Sequence, residues 1–215
     1  MRIRTLMAVA TTALVFAAGC GTDTDGQAKP AGDAPPVTGS SDGGGSESTL
    51  PHSGAPKVQH PLDTATLTKA QQNPCSTLTN SQVNKLRLNP QGKLRQAEAG
   101  PLCRWSNVDA GSSVGVYFPT KVIFEGLSQI YEKNKREGNA DFFYQMAPVQ
   151  GFPVVASGAG DLRQQGDCPV QVGLTDRQVV FVEVFLSRAK RGQLEPCETA
   201  RRVAGMVLTT MKGGA

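Results

Sequence analysis

Histidine is scarce: the 215 residues contain two, His52 and His60, and both lie in a first third crowded with Gly, Pro and Ser. The stretch rich enough in Val, Phe and Leu to fold therefore has none. This excludes a Ser-His-Asp or Cys-His hydrolase, a His-ligated zinc enzyme and a haem protein with a His ligand. Aromatics are also few, at 6% with one tryptophan. No two of the five cysteines form a Cys-x-x-Cys pair, which argues against a structural zinc site or a redox dithiol. The N-terminal apolar run, Leu6 to Ala18, is about 13 residues, too short to cross a bilayer. What is present is 39% hydrophobic residues, enough for one modest core.

Arg2 and Arg4 precede that run, and together they form a secretory signal, residues 1–19. The run ends Ala17-Ala18-Gly19-Cys20, which resembles the bacterial lipobox, where cleavage occurs before a cysteine carrying a diacylglycerol. Ala17 stands where that pattern usually has Leu. The expectation is a lipid-anchored protein on the extracytoplasmic face of the cell membrane, since two or more acyl chains hold a protein on a bilayer stably. The alternative is an ordinary secreted protein with Cys20 a bystander.

Residues 20–72 read as a tether. Gly43-Gly44-Gly45 and Pro35-Pro36 leave few large apolar residues to offset the entropy of ordering. A flexible chain of this length reaches roughly 40 Å. Thr64–Gln72 has a weak helical signal but is assigned to the tether. Residues 21–72 carry a net charge of −3, and residues 73–215, with 17 basic and 12 acidic side chains, carry +5. A mildly basic domain on an acidic tether suits anionic lipids or wall polymers, or simply solubility. An exported protein of such modest charge is not expected to bind nucleic acid.

Residues 73–215 are expected to form one α+β domain: an antiparallel sheet of about six strands packed against two to three helices. Thr79-Asn80-Ser81-Gln82 is a capping box opening a short helix. Strands are expected at Cys103–Asn107, Val114–Phe118, Phe143–Val149, Val154–Ala156, Cys168–Leu174 and Gln178–Leu186. A helix spans Phe124 to Gly138, and a last one follows Pro196, with Ala200, Val203, Ala204, Val207, Leu208 and Met211 on one face. In Gln178–Leu186 apolar residues occupy both faces, as in a central strand covered on each side.

Setting Cys20 aside leaves Cys75, Cys103, Cys168 and Cys197, an even number in an exported chain, hence two disulfides in one of three pairings. Cys75–Cys103 and Cys168–Cys197 are favoured, because the last hairpin returns the chain to the level of Cys168 just before Cys197. Each loop is worth about 3.5 kcal/mol.

Asn73-Pro74-Cys75-Ser76-Thr77-Leu78-Thr79, Cys103-Arg104-Trp105, Gly151-Phe152-Pro153-Val154-Val155, Cys168 and Pro196-Cys197 occur in that order. The set resembles the actinobacterial lipoproteins that carry the domain of unknown function 3558. The resemblance implies a lipid-anchored extracytoplasmic protein with paired cysteines, and it brings no established activity or catalytic residues. One departure is Arg87-Leu88-Asn89-Pro90 after the first helix, where the family often has a glycine.

Few residues suggest chemistry. Gly111-Ser112-Ser113-Val114-Gly115 fits the G-x-S-x-G pattern but sits at a strand-to-strand turn, without a histidine to take the proton. Asp161, Asp167 and Asp176 lack calcium-loop spacing. Glu183 interrupts an apolar strand and is read as a charge paired with Arg or facing solvent. The possible binding residues are Trp105, the aromatic run Phe142-Phe143-Tyr144, and a basic edge of Arg188, Lys190 and Arg191 with Arg201-Arg202. For Trp105 the alternative is packing on a disulfide; for the aromatic run it is burial in two core faces. No catalytic residue, metal or cofactor is expected. The function expected is a non-enzymatic module that binds an envelope protein, lipid or wall polymer. Its rivals are a small-molecule or lipid carrier with an apolar pocket and an enzyme built on carboxylates.

Overall fold

Seven antiparallel strands form one sheet in a computed structural model that describes residues 48–138 and 142–214. The signal segment and Cys20 lie outside the described residues. The strands are β1 (Lys93–Gln96), β2 (Pro101–Asn107), β3 (Ser112–Tyr117), β4 (Phe142–Val149), β5 (Phe152–Gly158), β6 (Asp167–Thr175) and β7 (Gln178–Phe185). Their spatial order is β1-β2-β3-β7-β6-β5-β4. The sheet is thus two meanders, β1–β3 and β4–β7, joined where β3 pairs with β7. The α+β expectation holds, with one strand more than expected. The addition, β1, is an edge strand whose four residues are all exposed.

Four helices accompany the sheet: α1 (Thr64–Gln72), α2 (Asn80–Lys85), α3 (Gly126–Arg136) and α4 (Pro196–Met211). The expected domain start at Asn73 is corrected. Asp63 caps α1 by accepting from Thr66 N at 2.9 Å, and α1 buries Leu67 and Ala70. Upstream of it Ala55 and Val58 are also buried, and Leu62 N donates to Leu174 O at 3.0 Å. The part of the expected tether that is described, residues 48–72, is thus packed on the domain, and it brings both histidines, His52 and His60, each exposed, into a folded part that was expected to have none. These few apolar side chains suffice because they dock on a surface that the rest of the chain already presents.

One face of the sheet holds the main core. Val114, Val116, Val170, Val172, Val180 and Val182 point to it and are covered by α4, α2 and α1. Both disulfides clip this covering layer to the sheet: Cys75–Cys103 ties the 3₁₀ turn Pro74–Thr77 to β2, and Cys168–Cys197 ties the first turn of α4 to β6. The expected pairing is the observed one. The other face is only partly covered. There α3 and the segment around Ala55 pack Leu127 and Tyr131 on Val155 and Val179. Gly126 opens α3 at φ 61°, and a Cβ there would run into the Asp176 carbonyl. On β7, Val179 on this second face is buried, while Phe181, Glu183 and Phe185 are half-exposed. The strand is central, but its second face is not fully covered.

Candidate functional site

The C-terminus of α2 sets the site. Leu88 N donates to Val83 O at 3.2 Å and Arg87 N to Asn84 O at 2.9 Å, closing the helix in a Schellman motif. The motif demands a left-handed residue, most often glycine. This chain places Arg87 there, at φ 57°. Asn107 Nδ2, at the end of β2, donates to Arg87 O at 3.0 Å and fixes the corner. Farther back, Gln82 ties α2 to α4: its Nε2 donates to Met206 O at 3.2 Å, and its Oε1 accepts from Thr210 Oγ1 at 2.9 Å.

Beyond that tie, Lys85–Leu88 and residues from Thr199 to Met206 of α4 line a groove of about 600 Å³. Its floor is the seam between the two meanders, where Val114 and Val184 are register partners. Leu86, Leu88, Leu186 and Val203 continue the apolar lining, and Leu194 is an exposed apolar residue at its rim. The volume lies within the range of roughly 300–1,000 Å³ typical of ligand sites. Four cations line the groove, Lys85, Arg87, Lys190 and Arg202, and no carboxylate does. All four are exposed, and among the described residues none forms an ion pair. Arg202 donates to Thr199 Oγ1 at 3.3 Å, a neutral partner.

The expected binding residues are only partly brought together. Lys190 lines the groove, whereas Arg188 and Arg191 do not. Arg191 instead lies over the Phe185 ring at 4.9 Å and donates to Leu186 O. Arg201 is paired with Glu198 at 2.8 Å, leaving Arg202 as the groove's contribution from that pair. Trp105 is 1% exposed and packed in the main core beside Cys103, so it offers no stacking surface. Phe142 and Phe143 go to different clusters, Phe143 edge-on to Tyr131 at 5.1 Å, and Tyr144 is exposed. Phe142 and Phe143 nevertheless line one cavity of about 230 Å³ beside α3, from which Tyr144 is absent. Lys85 and Arg87 are the residues that the sequence reading missed. The signal available for Arg87 was a large side chain at a helix end that favours glycine.

The second face carries polar pairs of a different kind. Arg104 meets Glu183 at 2.6 Å and donates to Ser113 Oγ at 3.0 Å, so Glu183 is paired as expected. Nearby, burial first and the Glu183 charge second push the Asp167 carboxyl above its ordinary range, and its Oδ1 has no hydrogen-bond partner. Asp161 is held down to about 2 by hydrogen bonds from Arg163, whose guanidinium also lies over the Phe142 ring at 5.1 Å. Gln171, fully buried, exchanges hydrogen bonds with Ser157 Oγ and O. Among the described residues no three His, Cys, Asp or Glu side chains converge, and no helix is long and apolar enough to cross a membrane.

A sheet stapled on one face by two disulfides and opening in a ligand-sized groove defines a small α+β domain built around a cleft. The chain belongs to the family described as protein of unknown function (DUF3558), whose model matches residues 15–210. No curated protein and no solved structure matches it.

Proposed function

We propose that this protein is a non-enzymatic binding module, lipid-anchored through Cys20 at the extracytoplasmic face of an actinobacterial cell membrane, and that the groove between α2 and α4 is its ligand site. The groove carries the binding part of the reading: an open apolar cleft of about 600 Å³ beside a core otherwise filled by valines. The Leu6–Ala18 run and Cys20 support the anchor, and the two disulfides suit an oxidising compartment. Of the ligands expected, the cleft favours a small amphiphile over a wall polymer, because its floor is aliphatic and the aromatic among its lining residues, the half-exposed Phe185, already has Arg191 over its ring.

Two measurements test the reading. The full chain expressed with its own leader should partition into the detergent phase of a cloud-point extraction, and Cys20→Ala should move it to the aqueous phase. Unchanged partitioning rejects the anchor. Native mass spectrometry of the Cys20→Ala chain, purified from an actinobacterial host, should show a co-purifying small mass that Val203→Trp, which fills the groove, removes. A mass that persists in that variant rejects the groove as the site.

A further inference from the structure

Resting on that reading, we infer that the groove selects an anionic, single-chain amphiphile, with Lys85, Arg87, Lys190 and Arg202 reading the headgroup and the Val114–Val184 seam holding the chain. Three observations converge on this. The first is charge: four cations and no carboxylate line one cleft, although residues 73–215 as a whole carry 17 basic and 12 acidic side chains. Arg104, Arg163 and Arg201 each have a carboxylate at 2.8 Å or less, whereas among the described residues none of the four groove cations has one. A headgroup bound there gains charge-assisted hydrogen bonds without having to displace an internal ion pair.

The second observation is polarity along the cleft. Val114, Val184 and Val203 close the bottom of the cleft, the partly exposed Leu86, Met206 and Leu194 give it an apolar bed, and the cations are exposed around it. A ligand that is charged throughout would leave this bed unfilled, and one that is apolar throughout would leave four cations uncompensated. The third is Arg87 itself. An L-residue in the left-handed region costs about 1–2 kcal/mol that glycine would avoid. The left-handed φ holds the Arg87 backbone at the wall of the groove, with its carbonyl pinned by Asn107. Strain kept at a site wall, where a strain-free residue exists, marks a position chosen for its side chain.

The probes are lysophosphatidylglycerol and lysophosphatidylcholine with the same sixteen-carbon chain, each below its micelle concentration and titrated calorimetrically into the Cys20→Ala full chain. The anionic lipid is expected to bind at least about tenfold more tightly, with the advantage falling as salt rises. Arg87→Gly with Lys190→Gln should erase most of that advantage, leave lysophosphatidylcholine affinity within about threefold, and keep the thermal midpoint at or above that of the parent. Equal binding of the two lipids overturns the anion selectivity and leaves the groove as a site for neutral chains. Binding of neither overturns this inference and the groove reading together. Inorganic phosphate binding as tightly as the anionic lipid overturns the role of the apolar floor. Equal loss of both lipids in the double variant, or a lowered midpoint, assigns Arg87 and Lys190 to structure and overturns their role as headgroup readers.

Discussion

Removing the Cys168–Cys197 bridge by replacing both cysteines with alanine tests how the covering layer is held. The two positions are 29 residues apart, so the bridge denies the unfolded chain a loop worth about 3.5 kcal/mol. Cys168 is fully buried and Cys197 is 1% exposed, so losing two sulfurs from a packed site adds about 1 kcal/mol. A total near 4.5 kcal/mol is a large share of the roughly 5–15 kcal/mol that stabilises a domain. With a urea slope of about 2 kcal/mol per molar, the midpoint should fall by about 2 M. Trp105 is the sole tryptophan and is buried, so its emission follows unfolding without an added label. Far-UV circular dichroism on the same samples checks that the transition remains cooperative. A fall below about 0.5 M would refute the reasoning, because the bridge would then constrain little that packing of α4 does not already fix. Cys197 lies in the same helix as Thr199 and Arg202, so, on the proposed function, the variant should also bind a groove ligand more weakly.

Other substitutions probe separate parts of the fold. Leu67→Ala should cost about 2–4 kcal/mol in urea unfolding, whereas a wild-type midpoint would return residues 48–72 to a tether. Gly126→Ala should cost about 2 kcal/mol or more, from its left-handed φ and the clash with Asp176, and limited proteolysis should cut first around α3. Asp167 binds its proton more tightly in the folded than in the unfolded chain, so its ionisation opposes folding at neutral pH. Asp167→Asn should therefore unfold at higher urea at pH 7, an advantage that shrinks as pH falls to the ordinary carboxylate range. A constant difference across that window would show that the Asp167 charge is not its source.

The parts of this fold that were legible in the sequence are those whose pattern is local. β7 is a nearly continuous apolar run, Thr79 and Gln82 form their capping box with both hydrogen bonds present, and α4 carries its buried face at helical spacing. The four cysteines left once Cys20 is set aside narrowed the pairings to three, and chain return chose between them. What escaped was whatever depends on a surface made elsewhere. β1 has the sequence Lys-Leu-Arg-Gln, without alternation to betray it, and is a strand because β2 offers an edge. α1 and the residues around Ala55 are too poor in apolar side chains to fold alone, and they order against a finished layer. The groove's cations are the hardest case. Lys85 and Arg87 come from the end of α2, Lys190 from the turn after β7 and Arg202 from α4, and only the folded chain puts them around one cleft.

That seam has a consequence for how the protein comes to exist. Val114 and Val184 are 70 positions apart, so neither meander contains the groove and the unfolded chain has no version of it. Pairing across so long a loop belongs to the slow, late part of folding. A ligand that lies on the seam binds only the completed molecule, and at a hundred times its dissociation constant it adds about 2.7 kcal/mol to stability. An occupied groove thus acts as a latch on the last junction to form. On the proposed function, the filled protein would outlive the empty one wherever opened chains meet proteases, and its abundance would itself report how much ligand is supplied.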